Sequence, residues 1–320
     1  MKAIVVTHPG GPEVLNYTDV PLPELKPGWT RVKVAGFGIN HSEVFTREGQ
    51  SPSVQFPRIL GIEVVGTIDA TTAPDDFTVG QRVVSLMGEM GRAFDGSYAE
   101  YVLLPNKQVY PITSTLSWDK MAAIPETYYT AFGIFKSLQI KENDRILIRA
   151  ATSSVGIAAL QLIKSLPFKT EVVGTTRSDK KNDQLIALGI DEVLVTPDTL
   201  HLPENSGTFD KVIDLIGPAS VSDSLAHLNE FGIVSSTGQL GGQWTLNDFD
   251  PITAIPNNSY LTGFYSGDVS AKLIQELFTY IEERHIDVTP SKVFSLDETR
   301  QAHEYSASAT GLGKVVVLVN

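Results

Sequence analysis

The chain has 320 residues, enough for two domains, and its 42% hydrophobic and 19% charged content is ordinary for a globular protein that buries cores. A formal net charge of −12 argues against a dedicated nucleic-acid binder, because phosphate contacts need clustered Lys and Arg. With no cysteine, disulfides, Cys-zinc sites, thiol nucleophiles and iron–sulfur clusters are excluded. The run Met1–Val6 lacks the apolar core of a signal peptide, and no apolar stretch approaches the roughly 20 residues a membrane span needs. The expectation is a cytoplasmic protein with neither membrane nor nucleic-acid partners.

The first part of the chain reads as β-rich and irregular. Strands are predicted over Ala3–Thr7, Leu15–Val20, Trp29–Phe37, Glu63–Ala70, Gln81–Ser85 and Tyr98–Leu104, separated by Gly and Pro turns such as Lys26-Pro27-Gly28, which suggests a partly open barrel. Helical patterns follow over Trp118–Ile124 and Tyr128–Leu138. From Asp144 onward strands alternate with helices: Arg145–Ala150, helix Val155–Leu166, Thr170–Thr175, helix Asp179–Leu188, Glu192–Val195, Asp210–Ile216, helix Ala219–Glu230, Gly232–Ser236 and Tyr260–Tyr265. Parallel strands need crossovers, so this alternation predicts a parallel sheet with helices on both faces. Helix Ser270–Arg284 and strand Lys314–Val319 complete the chain.

One turn carries chemistry. Strand Arg145–Ala150 runs through Ala151, Thr152, Ser153, Ser154, Val155 and Gly156 into a helix, the context a dinucleotide fingerprint requires. Small residues let the backbone approach a diphosphate, and a helix start offers amide donors and the positive end of its dipole. Two glycines of the G-x-G-x-x-G pattern are missing, so the alternative is an ordinary turn capped by Thr152 or Ser153. About 20 residues on, the second strand ends in Thr176, Arg177 and Ser178, with Lys181 close behind. A guanidinium and an ammonium there suit the 2′-phosphate of NADPH, where an acidic residue suits NADH.

The markers Gly10-Gly11-Pro12-Glu13-Val14-Leu15, Gly38-Ile39-Asn40, Leu60-Gly61-Ile62-Glu63-Val64-Val65-Gly66, Gly80-Gln81-Arg82-Val83, Gly96-Ser97-Tyr98-Ala99-Glu100-Tyr101 and Gly313-Lys314-Val315-Val316 follow one another along the chain. In this order they resemble the medium-chain dehydrogenase/reductase superfamily, in its zinc-independent quinone oxidoreductase branch. The resemblance implies a Rossmann doubly wound parallel sheet, residues 123–265, inserted into a GroES-like β-rich domain, residues 1–122 and 266–320. It implies that Asn40 and Thr130 lie by the nicotinamide, that Thr237, Gly238 and Gln239 border the cofactor, and that Phe264, Ser266 and Lys314 close on its nicotinamide end. Zinc alcohol dehydrogenases carry Cys-His-Thr-Asp where this chain has Asn40-His41-Ser42-Glu43, and Gly-His-Glu where it has Gly61-Ile62-Glu63. No metal is expected, and Glu63 reads as a structural or cleft-edge polar residue.

Without a Lewis acid, reduction of an electron-poor acceptor is the chemistry that remains accessible. The expectation is hydride transfer from NADPH to a quinone or an α,β-unsaturated carbonyl, with Asn40, Ser42 or Tyr128 donating to the developing oxyanion. Two alternatives stand beside it: a non-catalytic NADPH-binding sensor or interaction protein, and a zinc-free ketone or enoyl-thioester reductase. Substrate contacts are expected from the loops Phe45–Phe56 and Met87–Phe94. The resemblance also implies a homodimer paired through the edge strand 259–264.

Overall fold

Strand Trp29–Gly38 alternates inward and outward along most of its length, burying Val32 and Val34 on one face. In a computed structural model, which describes residues 1–308 and 311–319, this strand organises the first of two units, Met1–Tyr129 with Ser266–Asn320. It pairs antiparallel with Glu63–Thr71, Tyr101–Pro105 and Val315–Leu318. Arg82–Leu86, Tyr110–Pro111 and Lys292–Ser295 complete a seven-stranded sheet, and Lys2–Val6 joins Asn16–Asp19 and Arg58–Ile59 in a three-stranded one. Ile4, Val6, Val32, Val34, Val64, Ile68 and Val317 meet in one core. Val315–Leu318 is therefore interior to its sheet although it comes late in the sequence.

Helix Ala271–Glu283 follows its sequence pattern closely. Ile274, Leu277, Phe278 and Ile281 recur at helical spacing and are buried, and the Ser270 hydroxyl caps the first turn by accepting from Leu273 N. Two other helices of this unit, His41–Arg47 and Thr299–Ala307, carry no such stripe. They bury polar side chains: Glu43, Thr46 and Arg47 in one, Thr299 and His303 in the other. The predicted loop Phe45–Phe56 therefore begins inside a helix. The Arg47 guanidinium donates to His303 Nδ1 at 3.0 Å, which puts the neutral ring's proton on Nε2, 3.0 Å from the Tyr98 hydroxyl. Burial, with Arg47 adding to it, pulls the His303 pKa down to about 3.

The second unit is Thr130–Tyr265. The boundary falls inside helix Pro125–Leu138, after Tyr129 rather than before Ala123. Its six strands lie in the order Glu192–Val195, Glu171–Thr176, Arg145–Arg149, Phe209–Asp214, Leu228–Ser236, Tyr260–Thr262, and every neighbouring pair is parallel. That is the doubly wound order, reversing between Arg145–Arg149 and Phe209–Asp214. Two predicted helices are shorter than expected. Asp179–Lys181 is a 3-10 turn before Asn182–Ala187, and the helix after Ser220 stops at Ala226 so that a strand can begin at Leu228. Among the described residues, no helix is long and apolar enough to cross a membrane.

At the reversal point Arg149 is fully buried and donates to Asp223, to the Ser224 hydroxyl and to the carbonyls of Thr199, Leu200 and Ser220. Removing this cation strands Asp223 and several buried carbonyls. Arg149→Met is expected to lose about 3 kcal/mol or more of stability, read as a lowered urea midpoint; an unchanged midpoint would show that the network contributes nothing net.

Candidate functional site

In the second unit, parallel strands send every following loop out along one edge. The turn after Arg149 departs from the glycine pattern. Ala150 takes the left-handed conformation, φ 60°, where glycine is at ease, and is held there by Thr175, whose hydroxyl accepts from Ala150 N at 3.0 Å. Gly156 answers a different need: a Cβ there would lie 2.8 Å from Ala150 O. Ser153 is the N-cap, its hydroxyl oxygen accepting from Gly156 N at 3.1 Å. The hydroxyl proton of Ser153 is left to donate outward. Ser154 and Val155 open helix Ser154–Lys164, so their amides precede any helical carbonyl that could accept from them. Thr152, Ser153, Ser154 and Val155 are all half-buried, at the surface of this turn.

The adjacent strand ends at Thr176, whose hydroxyl donates to Ser178 O at 3.2 Å. Arg177 is exposed, and Lys181 sits close enough that its pKa is lowered, first by burial and then by the Arg177 charge. Two like charges thus follow the end of the second strand close to one another.

Asp214, at the end of the fourth strand, is a fully buried acceptor that sequence reading passed over. Its carboxylate accepts from Ile216 N, Gly217 N and the hydroxyls of Ser220 and Ser224, while its carbonyl accepts from Thr237 N and Gly238 N. Gly217 and Gly238 pass so closely that a Cβ on either would strike backbone of the other loop or of Leu215. Gln239 is exposed just beyond. Phe264 N donates to Thr237 Oγ1 at 3.3 Å, and the Phe264 ring lies over Gly133, where a Cβ would come within 2.3 Å of it. Thr130 lies one helical turn before Gly133 and is buried. The residues expected at the cofactor, 152–156, 176–178, 181 and 237–239, with Phe264, therefore lie at or after the carboxyl ends of parallel strands of this unit.

In the first unit, Asn40 precedes helix His41–Arg47 and is nearly buried. Lys314 Nζ donates to Asn40 Oδ1 and, at 2.7 Å, to Glu63 Oε1. Since an ammonium only donates, Oδ1 must face it, and the amide Nδ2 then donates to Glu63 at 2.9 Å and to Glu43 at 3.3 Å. Glu63 Oε2 accepts from Glu126 N at 2.6 Å. Gly38 makes room for this pair: a Cβ there would lie 2.1 Å from Lys314 Cε and 2.4 Å from Glu63 Oε1. Glu63 is thus one half of a buried ion pair, and Lys314 is turned inward to it.

Glu43 is buried too. One oxygen accepts from Ile62 N at 3.1 Å; the other has no partner. Burial, and then the Glu63 charge, push its pKa up to about 8, with Lys314 opposing. Ser42 Oγ accepts from Arg92 at 2.6 Å, leaving its hydroxyl proton to donate. Tyr128 is buried, and that burial raises its phenol well above the usual range, so it remains a protonated donor. Its neighbour Tyr129 is tied to backbone, donating to Asp268 O and accepting from Ser270 N. Ser266 is half-buried where the chain re-enters this unit. Among the described residues, no group of three or more His, Cys, Asp or Glu could hold a metal ion. Where zinc relatives have ligands, Asn40 is committed to Lys314 and Ile62 is a buried aliphatic, a donor set that does not fit tetrahedral zinc.

Comparisons place the chain among dehydrogenases. A model of the zinc-binding dehydrogenase family matches residues 188–317, and one of the alcohol dehydrogenase GroES-like domain matches residues 26–114. Quinone oxidoreductase of Lama guanicoe is 28% identical over 334 residues, covering 100% of this chain and 98% of the relative. Among solved structures, an NAD-dependent alcohol dehydrogenase is 27% identical with a TM-score of 0.78, covering 100% of both chains. A mycobacterial protein complexed with NADPH is 27% identical with a TM-score of 0.80, covering 99% of each.

The space over Gly38 gives a direct check. Gly38→Ala should force apart Lys314 and Glu63 and destabilise the protein by about 1–3 kcal/mol, measured by urea denaturation; a midpoint equal to the parent's would mean that the pair relaxes freely.

Proposed function

Because this chain is a member of the medium-chain dehydrogenase/reductase superfamily, in its quinone oxidoreductase-like branch, and hence an oxidoreductase, we propose that it transfers hydride from NADPH to a quinone or an α,β-unsaturated carbonyl without a metal. The observation that carries this reading is that Arg177 and Lys181 follow the end of strand Glu171–Thr176, near enough for the Arg177 charge to help lower the Lys181 pKa, a pair of cations suited to a 2′-phosphate. The likeness to a protein complexed with NADPH supports the same choice. The turn also fits such a ligand, since it offers helix-start amides and hydroxyls in place of bulk.

NADPH, when bound, supplies the hydride. The chain's own residues hold and orient. The amides of Ser154 and Val155 and the hydroxyls of Thr152 and Ser153 would hold the diphosphate, with Gly156 keeping the turn close-packed. Thr176, Arg177, Ser178 and Lys181 would hold the 2′-phosphate. Within the second unit, Gly238 and Gln239 would border the cofactor, and Thr130 and Phe264 its nicotinamide end. Asn40 has spent both amide protons on Glu63 and Glu43, so what it retains for a ribose hydroxyl is acceptor capacity on Oδ1. Lys314 serves the cofactor through Asn40, as a positioning residue.

On the acceptor side, negative charge develops on a carbonyl or quinone oxygen as hydride arrives, and fixed donors stabilise it. Ser42 is suited because Arg92 already occupies its oxygen and leaves the proton outward. Tyr128 is suited as a neutral donor, because its burial disfavours the phenolate. Water supplies the final proton. The ammonium of Lys314, bonded to Asn40 and Glu63, supports chemistry that uses no zinc.

Purified protein incubated with NADPH and a panel of quinones and enones is expected to consume NADPH at the nicotinamide absorbance. Tight binding without turnover on any acceptor would favour a non-catalytic NADPH-binding role. Arg177→Ala is expected to weaken NADPH about tenfold or more while changing NADH less than about twofold, by fluorescence titration; equal losses would remove Arg177 from the site. The reading includes a homodimer through Tyr260–Thr262, one of the two edge strands of its sheet, where Tyr260 is 55% exposed. Equilibrium sedimentation should give a dimer, and a stable monomer would contradict it.

A further inference from the structure

Two carboxyl groups share the side-chain amide of Asn40 in the first unit, and the geometry separates their roles. Glu63 is fully provided for: Oε1 accepts from Lys314 and Asn40, and Oε2 accepts from the Glu126 amide. Glu43 touches no cation. Its Oε1 accepts from Ile62 N and, at longer range, from Asn40 Nδ2, while Oε2 is buried without a partner. A charged carboxylate buried near the Glu63 carboxylate, with one bare oxygen and no cation bonded to it, costs more than a neutral acid, which leaves one O–H unpaired but buries no charge.

We propose that Glu43 carries a proton at neutral pH and acts, as a neutral acid, as a positioning residue that fixes the amide of Asn40 together with Glu63 and Lys314. The proposal rests on the reading of Asn40 as a cofactor contact for its functional meaning, although the arrangement itself lies within one unit. Lys314 fixes which end of the amide is oxygen, Glu63 takes one amide proton and Glu43 takes the other. Loss of the Glu43 proton sets a second carboxylate near Glu63, whose Oε1 already holds the Lys314 ammonium. The charged and titratable groups facing Glu43 are Glu63 on Glu63–Thr71, Lys314 just before Val315–Leu318, and Tyr98 before Tyr101–Pro105. Arg47 on its own helix acts with His303 from Thr299–Ala307 on the far side of Tyr98. None of these is bonded to the bare oxygen.

The raised affinity of Glu43 for its proton, to about 8 from an ordinary 4.5, agrees with this and sets a sign. A folded state that holds the proton more tightly than the unfolded chain has the full benefit below about pH 4.5 and loses it as pH rises through about 8. The parent protein should therefore lose stability relative to Glu43→Gln across that window, since glutamine keeps the accepting oxygen and cannot ionise.

The experiment compares the parent with E43Q, with Glu43→Leu as a second variant. The side-chain amide resonance of Asn40, in nitrogen-labelled protein without ligand, is expected to shift with pH in the parent, with a midpoint near that of Glu43, and to stay fixed in E43Q. An infrared carbonyl band of a protonated carboxyl should be present at about pH 7 in the parent, absent at about pH 9.5, and missing from E43Q throughout. NADPH affinity of the parent should fall about tenfold between those two conditions, with less than about a twofold change in E43Q. E43L, which removes the acceptor altogether, should raise the KM for NADPH while leaving kcat nearly unchanged, and glutamine should restore it. A parent lacking the carboxyl band at neutral pH, or an E43Q protein whose Asn40 resonance still titrates, overturns the proposal. If NADPH binds to no variant, the cofactor reading fails, while the amide and infrared signals still decide whether neutral Glu43 fixes Asn40.

Discussion

Parallel pairing is the constraint from which the second unit takes its character. Once Arg145–Arg149 lies between Glu171–Thr176 and Phe209–Asp214, running in the same direction as both, the loops after these strands emerge on one edge. Leu228–Ser236 and Tyr260–Thr262 extend the same rule. Residues far apart in sequence, such as Ser153, Arg177, Gly238 and Phe264, are thereby delivered to one rim without any contact being chosen for that purpose. What the side chains add is stiffness. Asp214 binds its own following turn and the next loop, and Arg149 gathers three separate carbonyls under the sheet.

The first unit is governed by a different economy. Its helices His41–Arg47 and Thr299–Ala307 do not dock through apolar stripes; they bring ionisable groups inward, and each group needs an answer. His303 is answered by neutrality, with its ring bridging Arg47 and Tyr98. Glu63 is answered by Lys314. The empty α-carbon of Gly38 is what allows that last pairing, so a residue with no side chain is as much a part of the cluster as the charges are.

These contrasts explain what could be read in the sequence. The Gly–Pro punctuation and alternating runs around Trp29–Gly38, Glu63–Thr71 and Arg82–Leu86 announced strands within a residue or two, and the β–α alternation announced the parallel sheet. Helix Ala271–Glu283 was legible because its buried residues are apolar and regularly spaced. Helix His41–Arg47 was not, because burial of Glu43, Thr46 and Arg47 inverts the pattern that periodicity detects. The turn at Ala150 was legible only in part: the missing glycines were visible, but not that Thr175 holds alanine in a left-handed conformation. Asp214 and Gly133 gave no local signal, since their roles arise from neighbours across the sheet or from Phe264. Glu63 read as a polar residue of structural type, and its partner Lys314 lies 251 positions away, a pairing that no spacing rule reveals.

The placement of Val315–Leu318 has a consequence for how the polypeptide is made. This strand pairs with Trp29–Gly38 and with Lys292–Ser295, and Lys314 immediately precedes it. During translation the nested segment 130–265 emerges with all six of its strands and can close on itself. The surrounding unit, by contrast, must wait on the ribosome with Glu63 lacking its ammonium and an inner strand missing from its sheet. Synthesis order therefore makes the interrupted unit the later one to mature.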